Sequence, residues 1–230
     1  MEFASLILRE YKIPDINLHF FVGINQVKVA LNSTLDSNRI EREQEALINF
    51  FKIVNTIQEK YTSSLVQFIK EKYILNEDHI FTACYYVEKA FLHKINISNK
   101  KSVEFLLYLA ANRQISKSID GFGIDFSDLN KQLILCIVSP KNNINKIYDE
   151  LSSVLSLKEV KLTINDQTNK KIDLIKDYFE ISDDQINIIL KSYGIISSYS
   201  NLSLNSITSA ICDLIFEKMA LLCVEKGRNV

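Results

Sequence analysis

Six consecutive apolar residues, Leu133 to Val138 (LILCIV), constrain this chain more than any other stretch. They are bounded by Lys131 and by Ser139-Pro140, and their number and branched character predict a central strand. A central strand needs neighbours. Ile16 to Val22 (INLHFFV) is rich in strand formers and is closed by Gly23, which predicts a buried strand, and Glu159 to Ile164 alternates as a further one. Only 5 Gly and 2 Pro punctuate 230 residues, so long helices are favoured over a loop-rich all-β architecture. The expectation is a mixed α+β fold, with a small central sheet and several packed helices in a single domain over 1–230. No repeat, low-complexity tract or linker divides the chain.

A helical region is expected from about Asn25 to Lys70. Leu47, Phe50, Phe51, Val54 and Ile57 recur there at spacings of three and four, with Arg39 to Glu45 on the solvated side. A second helix near Ser63 to Lys70 would carry Leu65, Phe68 and Ile69. Asn76 is placed as an N-cap, followed by Glu77 and Asp78 where a helix dipole favours negative charge. Ile80, Ala83, Cys84, Val87, Ala90 and Phe91 then form one stripe. Ser102 opens the helix VEFLLYLAA, Asn112 to Ser116 interrupts it, and a short helix runs to Gly121. Gly123 before Ile124 reads as a left-handed C-cap. Asn142 to Leu155 is expected to be helical, and Ser182 with Gln185 forms a capping box opening a helix to Lys191. A final helix from Ser206 to Val224 places Ile207, Ile211, Leu214, Ile215 and Leu222 on one broad face.

Hydrophobic residues make up 47% and charged residues 24%, the balance of a globular chain. Cys84, Cys136, Cys212 and Cys223 are far apart, lack CxxC spacing and have apolar neighbours, so they read as core residues in a reducing, intracellular compartment. The N-terminal apolar stretch is too short for the core of a signal peptide, and no apolar run approaches the roughly 20 residues of a membrane span. A soluble cytoplasmic protein is expected. Signatures of catalysis are largely missing. Gly121 and Gly123 sit at a helix end and not in a phosphate-binding loop, and His19, His79 and His93 show no HExxH spacing. Cys84 and His79 could be drawn as nucleophile and base, but five residues apart on a helix they diverge by about 140°. No cofactor, metal or small-molecule substrate is expected.

One region departs from the chain average. From Lys89 to Lys117 there are six cations, Lys89, Lys94, Lys100, Lys101, Arg113 and Lys117, against the single acid Glu104, in a chain whose net charge is −1. His93 lies one turn from Lys89, and Tyr85, Tyr86 and Tyr108 are close in sequence. Such a cluster is either a solvated helical face or a phosphate-binding patch, with aromatics that either stack on unpaired bases or belong to the core.

The same region carries a resemblance. Ser102-Val103-Glu104-Phe105-Leu106-Leu107-Tyr108, then Asn112-Arg113-Gln114-Ile115-Ser116, then Gly121-Phe122-Gly123-Ile124, resemble the signature of the small Cgi-type subunit of the KEOPS complex, the TPRKB-like kinase-binding protein family. Asp78-His79-Ile80, Ala83 through Phe91, Ile181-Ser182-Asp183-Asp184 and Phe216 through Leu222 are similar to other family segments. The likeness covers the strand near Ile16 and most of Lys70 to Lys226, and the stretch at about 36–64 stands out as a helical insertion. The resemblance implies an accessory subunit without catalysis of its own, in a complex that installs threonylcarbamoyl on an adenosine of tRNA. Such a subunit binds the complex's kinase-like ATPase and holds the tRNA by its 3′ CCA end. Lys89, His93, Lys94, Lys100, Lys101 and Arg113 become candidates for RNA contact on this reading. Ile211, Ile215, Met219 and Leu222 become candidates for the kinase contact, as an exposed part of the last helix. Two other readings stay open: a kinase-binding regulator that touches no RNA, and a small hydrolase using Cys84 or a carboxylate.

Overall fold

The apolar run does form the middle of a sheet, and its partners follow from the register it imposes. The computed structural model describes residues 6–29, 39–195 and 203–226. The fold is mixed α+β, and the described residues form two compact units, 1–71 with 123–163 and 72–122 with 164–230.

The first unit holds the strands. β1 (Ile7–Ile13), β2 (Leu18–Val29), β3 (Leu65–Ile69) and β4 (Gln132–Ser139) lie in the order β1-β2-β4-β3, and the short β5 (Leu157–Glu159) also pairs with β2. Every pairing is antiparallel. Val27 opposes both Leu133 on β4 and Glu159 on β5, so β5 extends the β1 side of β2. Helices α1 (Arg39–Lys60) and α5 (Ile144–Leu155) cover one face of this sheet. Val27, Val29, Val66, Phe68, Leu133, Leu135 and Ile137 pack there against Phe50, Val54, Ile57, Ile147 and Leu151. Tyr148 of α5 donates its hydroxyl proton to Glu159 at 2.6 Å and accepts from Asn25 Nδ2 at 3.1 Å, tying helix to strand through buried polar groups.

Several expectations are corrected here. The strand expected to stop at Gly23 runs on to Val29, and the helix expected from Asn25 begins, among described residues, at Arg39. Gly23 is in the strand because Ile144 Cγ2 sits where its Cβ would be. The segment expected as a helix near Ser63 to Lys70 is β3. The spacing of Leu65, Phe68 and Ile69 suits either element. The edge is closed from outside by Gln58 of α1, which accepts from Val66 N at 2.7 Å and donates to Ser64 O. The strand expected over 159–164 shrinks to Leu157–Glu159. β1 was not anticipated. Of the expected insertion at 36–64, residues 36–38 lie outside the described residues, and the rest supplies α1 and the approach to β3.

The second unit is helical: α2 (Glu77–Leu92), α3 (Lys101–Leu109), α4 (Ile115–Phe122), α6 (Asn169–Phe179), α7 (Asp183–Ser192) and α8 (Leu204–Lys226). The expected caps appear at Asn76, which accepts from His79 N, and at Ser182 and Gln185, which bond reciprocally. α6 was not anticipated; Thr168 caps it by accepting from Lys171 N at 3.2 Å. Gly123 is not left-handed. The left-handed helix ends belong to Lys94 (φ 57°), Ala111 (φ 43°), Glu180 (φ 53°) and Gly194 (φ 77°).

Gly23→Ala is expected to destabilise the protein by about 1–3 kcal/mol in urea unfolding, because the new methyl overlaps a branched side chain in a packed core. Ile144→Ala in the same chain should recover part of that loss.

Candidate nucleic-acid and partner interface

The cation-rich region is a helix–loop–helix whose geometry is fixed by two buried polar residues. At the start of α2, His79 is fully buried. Its Nδ1 accepts from Leu75 N at 3.2 Å, and its Nε2 donates to Leu109 O at 2.9 Å. Desolvation pushes its pKa down to about 4, the Leu109 carbonyl opposes that, and Lys171 adds to it. The ring is neutral, with both nitrogens committed, so it is a brace between a loop and the end of α3. Cys84 is likewise buried, and the pairing of Cys84 with His79 as nucleophile and base does not form.

At the other end of α2, Ile95 N bonds back to Ala90 O at 2.9 Å and Lys94 takes the left-handed position between, a Schellman closure without glycine. The loop then turns over Glu104. That carboxylate is buried in the first turn of α3 and accepts from Ile97 N at 3.0 Å and Ser98 N at 2.6 Å. The single acid in the basic stretch thus holds up the loop that carries the cations.

The six candidate RNA residues separate into two groups. Lys89, His93, Lys94 and Lys100 sit on the α2 end, the loop and the α3 cap; the last three are exposed, and Lys89 Nζ lies 5.7 Å from the centre of the Tyr85 ring. Lys101 instead makes a bidentate ion pair with Glu88, at 2.7 and 2.8 Å, and Arg113 donates to Leu222 O at 3.4 Å. Lys117, counted in the same stretch, pairs with Glu180 at 3.0 Å. Glu88 lies one residue before the basic stretch begins and reaches Lys101 only through the folding-back of α3, so a charge count along the stretch does not include it. Of the aromatics, Tyr108 is buried, stacked on Tyr86 with centroids 5.6 Å apart, and in contact with Cys223 Sγ at 2.9 Å. It belongs to the core.

The proposed kinase-contact residues are corrected in one respect. Ile211, Ile215, Met219 and Leu222 are all buried, so no exposed apolar surface is formed by these four. Among the described side chains of α8, the large apolar one that is exposed is Leu221. Gly121, read as part of a helix end, is small for another reason: a Cβ there would meet the Tyr178 ring, whose hydroxyl donates to Lys117 O at 3.2 Å.

Among the described residues no group of three or more His, Cys, Asp or Glu is placed to hold a metal, and no helix is long and apolar enough to cross a membrane. Lys94 and Lys100 project from a braced loop, and His79, Cys84 and Cys212 are buried. Comparison with known families gives the class: proteins that bind a kinase. The model of kinase binding protein CGI-121 matches residues 44–222, most of the chain. The chain belongs to the CGI-121 family. No curated protein matches it. The matched stretch begins inside α1, so it takes in most of that helix and leaves β1 and β2 outside.

Two outcomes follow. His79 is neutral in the fold but protonates in the unfolded chain below its ordinary pKa of 6.5. Its contribution is therefore complete above that pH and lost as pH falls towards about 4, amounting to roughly 3 kcal/mol. The stability gap between wild type and His79→Gln in urea should narrow over that window; a gap independent of pH would contradict this. Glu104→Ala leaves two backbone N–H groups without their acceptor and should cost roughly 3 kcal/mol, with faster amide exchange at Ile97 and Ser98.

Proposed function

We propose that this member of a kinase-binding family is a non-catalytic cytoplasmic subunit of the KEOPS tRNA-modifying complex, binding its kinase-like ATPase and recruiting tRNA through the 3′ CCA end. Kinase binding comes with the family. The observation that carries the RNA half is the exposed set His93, Lys94 and Lys100, with Lys89 beside them, on a loop anchored by Glu104. Lysines held on a fixed support attract a phosphate backbone without paying to order a mobile segment. A single-stranded end, unlike a duplex, can thread between side chains on such a small surface. Lys101 and Arg113, already engaged within the unit, serve on this reading to hold the loop and the α3–α4 turn in place. For the kinase contact, α8 keeps its place as the candidate helix. Ile211, Ile215, Met219 and Leu222 hold it against the unit, and its outward positions around Leu221 meet the partner.

The second reading is a kinase-binding regulator without RNA contact, favoured by the internal pairing of Lys101 and Arg113. Electrophoretic mobility shift separates the two. Lys94→Glu with Lys100→Glu should weaken tRNA binding at least tenfold, and trimming the CCA end from tRNA should do the same to the unaltered protein. Co-purification with the kinase-like subunit should survive both. Unchanged tRNA affinity in the double variant leaves the regulator reading standing.

A further inference from the structure

We infer that one rung of the sheet in the first unit, Lys158–Lys28–Gln132, is a seat for a backbone phosphate of RNA. The inference rests on the RNA reading above and adds a contact to it. Lys28 on β2 stands directly opposite Gln132 on β4 and directly opposite Lys158 on β5. Three side chains from three adjacent strands therefore line up on one face, with about 4.8 Å between neighbouring strands.

Two lysines in direct cross-strand opposition repel, and sheets ordinarily avoid the arrangement. Here both are exposed, and among the described residues neither has an ion-pair or hydrogen-bond partner. Among the described residues, the acids next to these strands in the chain or in their hydrogen-bond network are engaged elsewhere. Glu159 accepts the Tyr148 hydroxyl, Asp128 pairs with Lys131, and Glu71 is engaged by Gln26 and Thr163. An anion placed over the rung removes the repulsion and supplies the missing counter-charge.

The third member is oriented for the same purpose. Gln132 Oε1 accepts from Gln26 Nε2 at 3.0 Å, which leaves the Gln132 amide NH2 to offer outward. Gln26 is itself buried and locked, since its Oε1 accepts from Thr163 N at 2.7 Å. Two ammonium groups and one amide, carried by a rigid sheet, match the two non-bridging oxygens of a phosphodiester and read no base. Lysine often guards an edge strand against pairing with another chain, and that would account for Lys158 on β5. It does not account for Lys28, which is on an interior strand. Lys28 also lies outside the stretch matched by the family, so the family match does not assign this rung.

The test is tRNA binding by the full chain, followed by fluorescence anisotropy over a salt series, for wild type, Lys28→Gln/Lys158→Gln, Lys28→Arg/Lys158→Arg and Lys94→Glu/Lys100→Glu. The glutamine pair should lower affinity several-fold at low salt and flatten the slope of log K against log salt by about 1.5. The arginine pair should keep both. A glutamine pair with unchanged affinity and slope, beside a Lys94/Lys100 variant that loses binding, overturns the seat while leaving the RNA reading intact. Self-association of the glutamine pair with tRNA binding unchanged also overturns it, and identifies the lysines as edge guards. Absence of tRNA binding by the wild type removes the RNA reading and the seat together.

Discussion

The antiparallel pairing of β2 with β4 is the constraint on which the first unit depends. Side chains alternate along a strand, so a slip of one residue would turn Val27 and Val29 away from the helices and drive Gln26 and Lys28 into them. The apolar pattern excludes that slip. With the register set, Gly23 faces Ile144 and gives α5 its close approach, and Asn25 meets Tyr148. The same register brings Lys28 level with Gln132 and Lys158. The polar consequences of the sheet are by-products of an apolar decision.

In the helical unit the organising groups are polar. Helices satisfy their own backbone except at their ends, and it is at the ends that buried polar side chains are spent. His79 joins Leu75 N to Leu109 O, and Glu104 gathers Ile97 N and Ser98 N. Each occupies a site where a hydrophobic residue would leave backbone groups unsatisfied, and each is stable there only with its bonds made. A neutral imidazole answers one donor and one acceptor; a carboxylate answers two donors. The exposed cations ride on the loop that Glu104 supports, so a surface property depends on a residue with no surface.

Much of this was legible along the chain, where a local rule suffices. The apolar run became β4, the Asn76 and Ser182 caps formed, and the expected α8 stripe is buried. Misreadings fell where two rules compete. Leu65, Phe68 and Ile69 satisfy a helical spacing, yet with Val66 they form a strand beside β4, completed at its outer edge by a glutamine from α1. The Gly123-Ile124 pattern predicts a left-handed helix end that Gly123 does not form, whereas Lys94, Ala111 and Glu180 adopt that conformation with ordinary side chains. Gly23 and Gly121 serve close approaches, by Ile144 and Tyr178, between segments distant in the chain.

The amino-acid sequence by itself determined which segments are apolar on one face, where helices begin, that a cation-rich stretch exists, and the family to which the chain belongs. Those properties are carried by neighbours within a few residues of one another. Only the tertiary structure decided which cations remain exposed, because Glu88 lies 13 residues from the Lys101 that it binds. It alone decided that Ile211, Ile215, Met219 and Leu222 face inward together, and that Lys28 and Lys158 stand side by side. Burial and charge pairing depend on what folding brings across from remote parts of the chain, and no local pattern encodes that.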